Sequence, residues 1–334
     1  MRILTLTQKF SGCGYHRLML PLSFMPKEYG RITDNITEEE LAEKKYDIVF
    51  INRIWDKNDL IELRKKYGFK LVVDVDDYWI LNHDHLMFDG FNATGFASKL
   101  IYHMKQADLV TCTHERLAEA IYPHNDNVVI VPNAIPYGES QFNGERMATD
   151  TVKIFWAGGI THEQDLKLLQ APLKKLDGNV QMVLGGFSDS NETERYYWGR
   201  MANYFTSDKR LTHTLFKGMD VFNYYDLFKY ADIMLIPLVK NNFNKYKSNI
   251  KILEAAGKAV PVIASAVHPY LGFPDDVVNY VKDREDWLKH INRLVNDKDL
   301  RDEQGAKLHE FCRKHYNFNE INETRRNAFV QLIS

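Results

Sequence analysis

Short apolar runs alternate with longer amphipathic stretches along this chain, and the alternation stops once and then restarts. Buried parallel strands read as near-continuous Val, Ile and Leu, and helices make the crossovers between them. The pattern therefore commits the chain to parallel α/β architecture. In the first half it predicts strands over 2–6, 48–51, 70–74, 109–112 and 128–131, with helices over 37–43, 59–66, 96–106 and 115–121. The break falls at Pro132-Asn133-Ala134-Ile135-Pro136 and the polar stretch 137–150, which reads as a linker. Strands then fit 152–156, 180–184, 214–216, 233–236 and 262–264. Helices fit 164–176, 192–205, 224–230, 249–257, 283–296 and 300–314, and a last one over 318–332 is placed to cross back to the first half. The expectation is two doubly wound domains, 1–140 and 150–316, with 317–334 as the returning helix. Ligands of such folds sit at the carboxyl ends of the strands, so a cleft between the halves is the expected active site.

Composition agrees. At 334 residues the chain is more than twice the modal domain of about 100–150. Its 45% hydrophobic and 26% charged residues are those of an ordinary globular protein. No apolar run reaches the roughly 18–20 residues of a membrane span, and residues 1–7 lack the apolar core of a secretory leader. Cys13, Cys112 and Cys312 are far apart and form no Cys-x-x-Cys, which argues against zinc and disulfides and makes the cytoplasm the expected compartment. Residues 1–150 carry 17 basic and 22 acidic residues, a balance of −5; the remainder carries 26 and 23, or +3. Neither half has the basic excess of a dedicated nucleic-acid binder.

The most informative text is 230–270. A buried strand ends at Pro237, a polar loop follows, and a helix is expected to start with Ser248 as its N-cap and close at Gly257. The free N–H groups at that start, of Asn249 and Ile250, would form an anion site beside Lys245 and Lys247. Glu254 shares a helix face with that start, where a carboxylate can accept hydrogen bonds from a ribose diol. Taken alone, the segment is also readable as an ordinary capped helix with a surface acid.

The same segment resembles family-four nucleotide-sugar glycosyltransferases of the GT-B fold, built of two Rossmann-like domains. Their C-terminal half has an Ala-Asp strand ending in Pro, a loop, and a helix running into a Leu-Glu-Ala…Pro-Val-Ile-Ala-Ser stretch. Here these are Ala231-Asp232, Pro237, Leu253-Glu254-Ala255 and Pro261-Val262-Ile263-Ala264-Ser265. The resemblance implies that Glu254 is the second acid of the family's pair and binds the donor ribose. The first acid, which holds the sugar, is replaced by Tyr246. Another matching segment runs from Ile154 to Asp165, with Gly158-Gly159 after a strand and Thr161 expected to cap the next helix. His162 follows as a donor-side or plain first-turn residue. The diphosphate-binding Arg of many members has its place taken by Gly159, with Lys245, Lys247 or Arg17 to compensate. Residues 217–225 resemble the stretch near the nucleobase.

In the first half, Ser11-Gly12-Cys13-Gly14-Tyr15-His16-Arg17 follows a strand but lacks the spaced glycines and distant acid of a dinucleotide fingerprint. It resembles the family's Gly loop, which implies Gly14 at closest approach to the donor, with His16 and Arg17 facing the cleft as acceptor or phosphate contacts. Asp74-Val75-Asp76 spells a GT-A metal triplet, and His83 and His85 are two apart. Such short matches are common, so no metal is expected, and Asp77 and His83 are taken as cleft residues touching sugar or acceptor hydroxyls.

The resemblance implies a retaining glycosyltransferase that needs no cofactor or metal and takes a nucleotide-sugar, a UDP-sugar on family base rates. The acceptor is a glycan or lipid-linked hydroxyl. The text is also similar to glycosyltransferases of tailed bacteriophages, some of which modify hydroxymethylated pyrimidines in DNA. A track of His16, Arg17, Arg53, 64–66 and Arg116 would serve that acceptor. A non-catalytic nucleotide- or sugar-binding relative is a further alternative, motivated by Tyr246 and Gly159, and a sugar-nucleotide epimerase of the same fold is a weaker one, since the sequence locates no acid–base residues for it.

Overall fold

Two six-stranded parallel sheets organise the protein, whose computed structural model describes residues 1–7, 11–147, 150–176, 180–206 and 211–334. The first unit comprises Met1–Ala134, Tyr246–Ser248 and Phe318–Ser334; the second comprises Ile135–Lys245 and Asn249–Asn317.

In the first unit β1 (Ile3–Leu6), β2 (Gly30–Thr33), β3 (Ile48–Asn52), β4 (Lys70–Val75), β5 (Leu109–Cys112) and β6 (Val128–Ile130) lie in the order β2-β1-β3-β4-β5-β6. A continuous helical stretch follows β1: α1 (Gly12–Gly14), a π-helical turn (Tyr15–Met19) and α2 (Leu20–Ser23). Then come α3 (Glu38–Lys44), α4 (Leu60–Tyr67), α5 (Phe88–Ala93), α6 (Phe96–Gln106) and α7 (Glu115–Ile121). Side chains cap several starts: Ser11 Oγ accepts from Gly14 N, Thr37 Oγ1 from Glu40 N, Asp59 Oδ1 from Ile61 N and Glu62 N, and His114 Nδ1 from Leu117 N. Adjacent strand residues point to opposite faces, and both faces are buried. Leu4, Val49 and Val73 enter one core; Ile3, Phe50 and Val72 enter the other.

In the second unit β7 (Val152–Ala157), β8 (Val180–Phe187), β9 (Leu211–Lys217), β10 (Ile233–Ile236), β11 (Val262–Ser265) and β12 (Val278–Val281) lie in the order β12-β11-β10-β7-β8-β9. Its helices are α8 (Glu163–Lys167), α9 (Gln170–Leu173), α10 (Glu192–Thr206), α11 (Ile250–Gly257), α12 (Arg284–Asn296) and α13 (Lys298–His315). The last helix, α14 (Phe318–Ile333), belongs to the first unit. It seals the second core there, with Phe329 5.2 Å from Phe50 and Phe318 4.9 Å from Phe24, ring to ring.

The expected helix over 164–176 is two short ones. Pro172 has no N–H to return to Leu168, which breaks the ladder between α8 and α9. The expected linker packs over much of its length: Phe142 is buried, 4.8 Å from Tyr225, and Tyr137 donates to Leu253 O at 2.8 Å. Residues 148–149 of it lie outside the described residues. β2 and β12 were not expected.

Candidate functional site

Strand order selects where each unit binds a ligand. In the first sheet the chain leaves β1 for β2 on one side and resumes at β3 on the other. In the second it runs β7-β8-β9 one way and β10-β11-β12 the other. The crevices beyond the carboxyl ends of β1/β3 and of β7/β10 are these topological switch points.

At the first switch point the structure brings together α1, the end of β3 and the end of β4. Arg53, just past β3, has φ of 64°, a left-handed backbone that a long side chain adopts at a cost. Its guanidinium grips Asp76 through both oxygens, at 2.7 and 3.0 Å, and reaches Cys13 Sγ at 3.3 Å. Burial alone would raise the Asp76 pKa, but the Arg53 charge and hydrogen bonds hold it well below the usual carboxylate range. The Cys13 thiol is pushed up to about 12 by burial and then by Asp76. Asp77 lies beside them. Its Oδ2 is 3.4 Å from Lys247 Nζ and 3.8 Å from Arg53, while its Oδ1 is buried with no hydrogen-bond partner.

Several expectations are corrected in this unit. Arg17 does not face a ligand: it is 1% exposed, bonded to both oxygens of Asp74 at 3.0 and 2.8 Å, to Val131 O at 2.8 Å and to Asn133 Oδ1 at 3.0 Å. Four of its five N–H groups are bonded within the buried interior, so it can neither track phosphates nor replace a missing Arg. Asp74 also accepts from Thr111 Oγ1 at 2.6 Å. The Asp74-Val75-Asp76 triplet thus carries two guanidinium groups. Gly14 is buried and its N–H donates to Ser11 Oγ at 3.1 Å, so that amide is occupied within the turn. His16 sits half-buried in the π-helical turn, edge-on to Tyr15. His83 is exposed, with its ring 4.5 Å from Phe88.

The segment Tyr246–Ser248 belongs to this unit too. Tyr246 stacks on Tyr78 at 4.2 Å and 16°, and its carbonyl oxygen is 3.0 Å from His114 Nε2. Ser248 is not the N-cap of α11: Asn249 is, without a side-chain bond. Ser248 Oγ accepts instead from Asn133 Nδ2 at 2.8 Å, an amide already oriented by Arg17, and that partner outcompetes a local cap. Lys247 Nζ lies 3.4 Å from Asp77 Oδ2, within the same unit.

At the second switch point Gly158 and Gly159 leave β7. A Cβ on Gly158 would come within 2.7 Å of the Trp156 ring, whereas Gly159 has open space. Lys251, in the first turn of α11, donates to Ala157 O and lies 5.7 Å over Trp156. The sequence reading passed over this lysine; its spacing from Glu254 on one helix face was the available signal. Glu254 is nearly buried and its Oε1 accepts from Tyr224 OH at 2.7 Å, so the predicted carboxylate has a partner that was also missed. Gly257 is required by close packing, since a Cβ would fall 2.2 Å from Tyr225 OH. Thr161 does not cap α8: it lies in the 3₁₀ turn Ile160–His162, and the N-cap is His162. His162 Nδ1 meets Asp165 Oδ2 at 2.7 Å, while Asp165 Oδ1 accepts from Val239 N at 2.7 Å, tying the β10 loop to α8. The Lys245 carbonyl oxygen is 2.6 Å from His268 Nδ1. Among the described residues no group of three or more His, Cys, Asp or Glu could hold a metal ion, and no helix is long and apolar enough to cross a membrane.

Residues 173–324 match a glycosyl transferase-like family, a little under half of the chain and including Glu254. No curated protein sequence matches the chain. Among solved structures, HepE of Anabaena in complex with UDP is similar over 99% of this chain and 100% of its own, with TM-score 0.69 and 12% identity. A glycosyltransferase from Rickettsia africae gives TM-score 0.66 at 12% identity over 100% and 98%. Sucrose-phosphate synthase from Thermosynechococcus elongatus gives 0.62 at 16% over 88% and 76%. Identities this low speak to fold. The chain has the α/β GT-B fold and carries a glycosyl transferase-like domain in its second half.

Proposed function

We propose that this protein transfers a sugar from a nucleotide-sugar, of the UDP-sugar class, to a hydroxyl acceptor, with retention of anomeric configuration and without a metal ion. The observation that carries the reading is Glu254, a nearly buried carboxylate bonded to Tyr224 at the switch point of the unit that holds the glycosyl transferase-like match. HepE, similar in fold over its whole length, has been solved with UDP and with UDP-glucose.

In this reading Glu254 accepts the ribose hydroxyls, with Tyr224 fixing its rotamer. The first-turn amides of α11 and the Lys251 ammonium meet the diphosphate where Gly158 and Gly159 let the backbone approach. Tyr246, in place of an acid, changes how the sugar is recognised. Asp77, through its unbonded Oδ1, receives an acceptor hydroxyl. Metal independence is supported by the triplet, whose two carboxylates would have to release Arg17 and Arg53 to bind an ion. A DNA acceptor loses support, because Arg17 and Arg53 are bound to Asp74 and Asp76.

Calorimetry with UDP, GDP, ADP and dTDP tests the donor. UDP is expected to bind, and Glu254→Ala to weaken it by about 1.5–3 kcal/mol, the worth of hydrogen bonds to a charged group. NMR of the transferred sugar reads the anomer. If no nucleotide binds, the enzyme reading fails and a non-catalytic relative remains.

A further inference from the structure

Beyond the carboxyl ends of β10, β11 and β12, on the side of the second sheet away from β7, lies a cavity of about 610 Å³, within the range of small-molecule sites. None of the residues assigned above to the donor lines it. Its wall is apolar: Leu238, Val267 and Trp287 contribute, and Leu168 stands 38% exposed.

Its other lining groups are cationic. Lys167, Lys240, Lys282 and Arg284 are all exposed around it, against a single acid, Asp283. Asp283 is exposed at the start of α12, where its carboxylate takes part in the capping box. Asp286, the other acid nearby, accepts the backbone N–H groups of Lys282 and Asp283. The four cationic side chains make no ion pair or hydrogen bond among the described residues. Elsewhere on the surface lysines are paired: Lys65, Lys66, Lys298 and Lys307 each meet a carboxylate. An excess of positive charge, four cationic side chains against one lining carboxylate, around an apolar wall suits an anion that brings its own apolar portion.

We propose that this cavity binds a phosphorylated ligand with an apolar body, at a site distinct from the nucleotide-sugar crevice. The proposal does not depend on the nucleotide reading. The ligand could be a soluble phosphate ester or the phosphate of a membrane lipid, and the test separates them.

Calorimetry on the full chain would compare hexyl phosphate with inorganic phosphate. Hexyl phosphate is expected to bind about tenfold or more tightly than inorganic phosphate. The double variant Lys240→Gln/Lys282→Gln, altering exposed side chains only, should weaken it about tenfold or more. Leu168→Ser, a neutral change, should weaken hexyl phosphate but not inorganic phosphate. Saturating UDP should leave all these values unchanged. Sedimentation with phosphatidic acid vesicles, lost in the double variant and absent with phosphatidylcholine, identifies a lipid source; binding of hexyl phosphate without vesicle binding identifies a soluble one. The proposal is overturned if the alkyl chain adds nothing, if the double variant binds as the parent does, or if UDP displaces the probe.

Discussion

Asp74→Asn is the sharpest test of the first unit, because it removes one charge and almost no volume. The interior there holds two guanidinium groups near that carboxylate: Arg17, bonded to both of its oxygens, and Arg325, 2% exposed and pushed down to about 9 by burial and then by Arg17. Asparagine keeps an acceptor for Thr111 and one for Arg17 but leaves the cations uncompensated. Breaking a buried pair from one side costs about 3–5 kcal/mol, against a total stability of about 5–15 kcal/mol for a typical domain. Urea denaturation should show the midpoint falling by that free energy divided by the slope, with the slope unchanged, and hydrogen exchange of the β4 amides should show the same loss locally. Replacing both partners, Arg17→Met/Asp74→Leu, should return most of the stability, since the Arg17 charge leaves with its partner and its repulsion of Arg325 leaves with it. A loss below about 1 kcal/mol for Asp74→Asn, or an equal loss in the double variant, would refute the charge argument.

Other outcomes follow from single contacts. Asp76, held low by Arg53, stabilises the native state fully above about pH 5; that contribution is lost as the pH falls below about 4 and the carboxylate is forced to protonate, which acid titration of the melting temperature would show. Gly305→Ala should cost about 3 kcal/mol, because its Cβ would sit 1.9 Å from Ala259 O and backbone must move. Gly159→Ala, with open space, should change stability by less than about 0.5 kcal/mol. All three thiols, with pKa values raised to about 12 chiefly by burial, should alkylate slowly with iodoacetamide at pH 8; one fast-reacting cysteine would contradict the burial.

The sheets were largely legible because their strands are buried on both faces and so appear as uninterrupted apolar runs; the expected 109–112 and 233–236 agree with β5 and β10 to the residue. β2 escaped because Gly-Arg-Ile-Thr is an edge strand left half open to solvent, with no apolar run. β12 escaped because Asn279 interrupts it, buried and bonded to Gln304 at 2.8 Å. Side-chain direction was the weaker inference. A Ser before a helix and an Arg after a Gly-rich turn carry strong local expectations, yet Ser248 and Arg17 both answer to Asn133, more than 100 positions away from each. Local text has no means of encoding such a competitor. Glu254 was found by its spacing, while Tyr224, read only as the start of a helix, bonds it from a 3₁₀ turn thirty residues away in sequence.

The chain passes between its two units four times, and α14 supplies the last piece of the first one. During translation this ordering imposes a delay. The strands of the first sheet emerge early, but the face built from Ile3, Phe50 and Val72 waits for Ala328 and Phe329, more than 250 residues after Val72. At ribosomal rates of roughly 5–20 residues per second that is on the order of thirteen to fifty seconds with an apolar surface unsealed. A nascent chain stalled before α14 should therefore recruit chaperones that bind exposed hydrophobic surface, and release them once α14 has emerged.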